Sequence, residues 1–168
     1  MAGFEKLVKR SDKIPFAKVK SATAETYTRF RGLSEFAQSK NPVEYPRQYI
    51  DEATERTDVV GYAPEISFDF DEYEDNTIQQ SIAEMFDKEL LGDATHIYIC
   101  IVNLTKEATP SGSYKAVQRE YAVIPSDEGG ETDRYNYTGS LKAVGSPVFG
   151  KATTTDGWET ATFTADTE

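Results

Sequence analysis

The sequence predicts a β-rich α+β domain, a sandwich or barrel-like sheet with one flanking α-helix. Three observations carry this. Residues Glu65–Asp71 (EISFDFD) alternate sharply, with Ile66, Phe68 and Phe70 on one face and Ser67, Asp69 and Asp71 on the other. Residues 76–91 hold a single amphipathic helix pattern among strand-like runs. Asp156-Gly157 joins two strand-like runs and matches a two-residue hairpin, because Asp and Gly tolerate a positive φ.

The 168 residues read as one domain. The first 25 show no clean period and read as an extended N-terminal arm. Thr26–Leu33 (TYTRFRGL) is strand-like, with Tyr27, Arg29 and Arg31 on one face. A long loop is expected over about 34–64; loops of that length in a compact domain usually have a function. It carries Tyr45, Tyr49, Ile50, Val59, Val60 and Tyr62, too apolar for a solvated linker. It therefore reads as a segment that folds against another surface.

In the helix, Asn76 is the expected N-cap and Gln79 completes a capping-box spacing. Ile78, Ile82, Met85, Phe86 and Leu90 form the apolar stripe, and Gly92 is the expected stop. Ala94–Leu104 is apolar on both faces and reads as a central strand. Strands are expected over Gly112–Pro125, Arg134–Val144, Val148–Thr155 and Trp158–Thr164, with a polar turn at 126–133. The total is six to eight strands.

Charge is distributed unevenly. The net value is −11, yet the first fifty residues carry ten Lys and Arg against five Asp and Glu. Residues 51–93 carry two against fourteen. Such polarity fits contact between unlike regions, within or between subunits. Net acidity disfavours tight nucleic-acid binding. No stretch approaches the ~20 apolar residues of a membrane span, and no membrane partner is expected.

Chemistry finds little to use. His96 and Cys100 are the only residues of their types. They cannot supply a four-ligand zinc site, and Cys100 lies inside an apolar strand. Asp69 and Asp71 share a strand face, the one carboxylate arrangement open to glycosidase-type catalysis, but no aromatic-walled cleft is marked. DFDEYEDN lacks the glycine and distal Glu of a calcium loop. Neither a catalytic residue nor a cofactor nor a metal is expected. The ten Tyr and nine Phe suit subunit interfaces, or alternatively a β-sandwich module that binds carbohydrate or protein.

Two stretches resemble one family. RQYIDE at 47–52 and TDVVGY at 57–62 form the first; REYAVIPSDEGG at 119–130 and YNYTGSLKAVGSPVFGKATTTDGWETATFT at 135–164 form the second. Together they resemble the tail tube (major tail) proteins of long-tailed bacteriophages of Gram-positive hosts. The resemblance implies the tail tube fold, self-assembly into stacked, hexameric rings, and a conduit through which DNA passes without specific binding. It also implies contacts with tape measure, tail tip and terminator proteins, residence in the virion tail, and assembly in the host cytoplasm. On this reading Tyr45, Arg47, Tyr49 and Ile50 anchor inter-subunit stacking, and Asp69 and Asp71 line the lumen.

Overall fold

The computed structural model describes residues 5–23 and 25–167. Eleven strands and one α-helix are present among them. Six strands close into a barrel: β1 (Lys13–Val19), β2 (Thr26–Arg29), β7 (His96–Ala108), β8 (Ser113–Gly129), β10 (Val148–Thr153) and β11 (Thr160–Ala165). The closing pair is β10 with β8. Three further strands extend the sheet as a wing in the order β8-β9-β6-β3: β9 (Asn136–Ala143), β6 (Glu65–Asp71) and β3 (Leu33–Ser39).

The branch is possible because β8 has 17 residues, on the order of 55 Å at strand rise. Its first half pairs β10 through Tyr114–Gln118; its second half pairs β9 from Tyr121 onward. One strand thus belongs to both barrel and wing. The barrel is small, and residues with little or no side chain let its walls meet. At Gly150, a Cβ would lie 2.2 Å from the Thr164 carbonyl oxygen on β11.

Alternation on β7 divides the core in two. Cys100 and Val102 point into the barrel with Phe16, Tyr27, Ala116 and Ala152. Trp158 packs against this cluster, its ring 6.1 Å from Phe16 and 5.6 Å from Tyr114. Ile97 and Ile99 point outward into a second core beneath α1 (Thr77–Asp87). There Ile78, Ile82, Met85 and Phe86 meet Ile66, Phe68 and Phe70 from β6 and Tyr137 from β9. The helix packs its stripe on the barrel wall and the wing together.

Asn76 caps α1 as expected, its side chain accepting from Gln79 N at 3.1 Å. The Gln79 side chain, completely buried, does not close a capping box. Its Oε1 accepts from Tyr73 N (2.7 Å) and its Nε2 donates to Arg31 O (2.6 Å), tying the helix to the chain on both sides. The helix ends before Gly92. Glu89 takes φ 48°, with Glu89 N bonded to Phe86 O and Leu90 N to Met85 O, the Schellman pattern. Leu90 is only partly buried against the core.

Other segments also depart from expectation. The arm expected over 1–25 supplies β1, which lies between β2 and β7; residues 1–4 and 24 fall outside the described residues. The expected long loop over 34–64 is an excursion built of strands. It holds most of β3, then a separate hairpin of β4 (Pro42–Arg47) and β5 (Arg56–Tyr62). The Asp156-Gly157 turn is a six-residue loop, 154–159. The Asp156 carboxylate accepts from Glu159 N, Thr160 N and the Thr160 hydroxyl there, so β11 starts at Thr160 and not at Trp158.

Candidate assembly surfaces

Two surfaces stand out, one apolar and projecting, the other polar and flat. The first is the β4–β5 hairpin. Asn41 takes φ 44° at its base and brackets it, donating its side-chain amide to Ala63 O and accepting Ala63 N at its own carbonyl, both at 3.1 Å. Beyond that point the two strands' substantial contacts are with each other alone. An isolated two-stranded hairpin is marginal in water, so this one calls for a covering surface.

The residues expected to act as anchors all sit here. Arg47 is ion-paired with Asp58, which raises its pKa, and its guanidinium lies 5.3 Å from the Tyr45 ring and 6.0 Å from the Tyr49 ring. Arg56 is ion-paired with Glu52 and covers Tyr49 at 5.7 Å. Tyr49 is thus fixed between two guanidiniums, while Ile50 beside it is fully exposed at 109%. Val43, Val59, Val60 and Tyr62 add exposed apolar area; of these Val43 was missed from sequence. Its only signal is its place between Pro42 and the hairpin's bulge.

The second surface is the outer face of the wing. Ile66, Phe68 and Phe70 turn toward α1, as expected, and Ser67, Asp69 and Asp71 turn away from it. Asp69 stands between Glu35 on β3 and Thr138 on β9; Asp71 stands beside Asn136. Asp69 Oδ1 accepts from Asn136 Nδ2 at 3.1 Å, and Asp71 Oδ1 accepts from Arg134 Nη1 at 2.7 Å. The result is a polar sheet face with one carboxylate held by a guanidinium. Glu35 was not legible as a member of this row, because a register shift between Leu33 and Glu35 decides which side it takes. The sheet order ends at β3, whose mostly exposed seven residues leave one open edge.

The titratable residues weighed for chemistry lie elsewhere. His96 Nδ1 is 2.7 Å from Glu120, whose carboxyl is held below its usual range first by Lys20 and then by His96. Cys100 is fully buried, and burial pushes its thiol up to about 12, where the reactive thiolate does not form.

No protein-family model matches the chain, and no curated protein matches its sequence. Solved structures do. A chain from the virion of a native gene transfer agent particle superposes with a TM-score of 0.57 at 13% identity, covering 85% of this chain and 98% of its own. One from the tail of an empty gene transfer agent particle with C6 symmetry gives 0.58 over the same shares, also at 13% identity. A chain from the six-fold symmetrised baseplate of the anti-feeding prophage gives 0.50 at 7%, covering 89% and 97%. This chain has a phage tail tube fold. The likeness runs through 97–98% of the length of those chains, at identities that show the fold alone.

Proposed function

We propose that this protein is the structural subunit of a phage-type tail tube, not an enzyme. Copies close into six-membered rings, the rings stack, and the tube carries DNA during ejection. The observation that carries this reading is the wing: an amphipathic sheet with an apolar face on the core, a polar face free, and an open edge at β3. An open edge invites pairing with another chain unless it is closed by assembly. In a ring, β3 of one subunit lies along the far end of β8 of the next, where residues 124–129 pair only with β9, so that the wings join into one continuous barrel and the polar faces line its channel.

The channel wall then presents Glu35, Asp69 and Asp71. Carboxylates repel phosphates within the Debye length of ~8 Å at physiological salt, so DNA slides without sticking. Arg134 tempers Asp71, which leaves Glu35 and Asp69 as the stronger repellers. The β4–β5 hairpin, with Tyr45, Arg47, Tyr49 and Ile50, is the contact to an adjoining subunit or ring. Tape measure, tail tip and terminator proteins are the further partners, the virion tail is the destination, and assembly takes place in the cytoplasm of a Gram-positive host.

The test is negative-stain electron microscopy of the purified, concentrated protein with light scattering on the same sample. Six-membered rings or hollow tubes with a stained channel are expected. A monodisperse monomer that fails to add to pre-formed tail tips would overturn the reading.

A further inference from the structure

The outer wall of the barrel is longer than the helix that covers it. At 11 residues α1 spans about 16 Å, whereas β7 has 13 residues and about 43 Å. Beneath the helix the wall carries Ile97, Ile99, Ala17 and Tyr121. Further along, one row crosses four strands in register: Pro15, Ile101, Val117 and Phe149. Direct antiparallel partners share a face, so this is a continuous apolar stripe on the same side as the helix. It is left uncovered, with Val117 at 39% and Phe149 at 61% exposure.

Three of its residues, Ile101, Val117 and Phe149, line a groove of about 620 Å³. Ion chemistry sets this groove apart from the rest of an acidic molecule. Lys13, Lys40, Lys106, Lys115 and Arg119 line it, against the single acid Asp166. Among the described residues none of these five cations has an ion-pair partner. The hairpin has the opposite character. Its two arginines are consumed by Asp58 and Glu52, leaving the carboxylates of Glu44, Asp51 and Glu55 without an ion pair around the exposed Tyr49 and Ile50.

We propose that this groove is the receptor for the β4–β5 hairpin tip of a second copy of the chain. Ile50 and Tyr49 lie on the Ile101–Val117–Phe149 stripe, and Asp51 and Glu55 pair with Lys106 and Lys115. The chain's own hairpin is poorly placed to do this. It departs at Asn41, next to Lys40 on the groove's rim, and none of its residues lines the groove. Each copy offers one tip and one groove at different places, a heterologous contact that propagates from copy to copy and closes rings or builds filaments. The proposal rests on reading the hairpin as an inter-subunit element and names the surface that receives it.

Two chains test it. One carries Ile50→Cys; the other, mass-tagged, carries Val117→Cys. Cys100 is too buried to compete. Mixed under mild oxidation at low salt, they are expected to form a tip-to-groove disulfide between chains. Its yield should be at least tenfold above that of a control pair in which Leu91→Cys, a more exposed position away from the groove, replaces Val117→Cys. Lys106→Glu with Lys115→Glu is expected to weaken self-association at least tenfold, and Asp51→Lys with Glu55→Lys in the partner to restore it. A yield no higher than the control overturns the proposal. If Tyr49→Ala with Ile50→Ala abolishes association while the groove reversals do not, the hairpin keeps its role and the groove loses its own. If neither pair matters, both fall.

Discussion

Arg119 Nε donates to the Gly145 carbonyl oxygen at 2.7 Å, at the point where β8 leaves β10 and takes up β9. The next residue repeats the link through the backbone, with Val144 N donating to Glu120 O at 3.0 Å. These two bonds pin the chain between β9 and β10 at the fork between barrel and wing. Replacing Arg119 by Met removes one of them from a partly exposed site. The expected cost is about 1 kcal/mol, a fall in Tm of about 2–4 °C for a chain of this size. Calorimetry checks it; no change would mean that the backbone bond alone holds the fork.

Gln79→Leu is expected to cost more. The side chain is completely buried, and its loss orphans Tyr73 N and Arg31 O. Each unsatisfied backbone group costs about 1–3 kcal/mol. Urea unfolding should therefore show a loss of about 2–5 kcal/mol, with amide exchange at Tyr73 accelerated before the rest of the core.

The Asp156 loop gives the protein an acid limit. Hydrogen bonds from the Thr160 hydroxyl and backbone, with Thr154 and Glu159 adding, hold its carboxyl at about 2. An unfolded Asp titrates near ~3.9. The folded value is the lower one, so the stabilisation is fully present above about pH 4 and fades as pH falls toward about 2. Asp156→Ala should lower Tm at neutral pH and flatten its decline between pH 4 and 2. Parallel Tm-versus-pH curves for the two proteins would contradict this.

Tyr49→Ala with Ile50→Ala should leave the monomer's Tm within what ~0.5 kcal/mol allows, because both side chains are exposed. Assembly into stacked rings should fail. Normal tubes from this double variant, seen by electron microscopy, would remove the hairpin from the stacking contact.

Asp69→Lys with Asp71→Lys should slow DNA ejection from particles that still assemble, and the slowing should lessen at higher salt. The second substitution also faces Arg134 with a like charge. Ejection at normal speed would place these residues off the channel.

Legibility in the sequence followed burial. Strand β6 was read to the residue because one face is buried and the other wet, so Ile66, Phe68 and Phe70 alternate cleanly with polar neighbours. Helix α1 was read from its cap and stripe, but its end was misplaced, since Glu89 adopts the left-handed turn that Gly92 was expected to supply. Strand β1 was invisible because it is covered on both sides. Phe16 enters the barrel and Ala17 meets the helix side, so no period-two signal survives between its lysines. Strands β4 and β5 read as loop because their apolar residues do not alternate cleanly along the segment and the two prolines of β4 mimic punctuation. The four residues expected as anchors, Tyr45, Arg47, Tyr49 and Ile50, all fall on this one hairpin. The groove had no local signal at all. Pro15, Ile101, Val117 and Phe149 come from four strands and meet only through register.

The central claim is that copies of this chain join through their wings, with the Ser67, Asp69 and Asp71 face inward. A cryo-electron microscopy reconstruction of the assembled protein tests it most directly. The expected map shows β3 hydrogen-bonded to a neighbouring subunit and the Asp69 face lining a continuous channel. A closed assembly in which that face points outward, or in which β3 keeps a free edge, would contradict it.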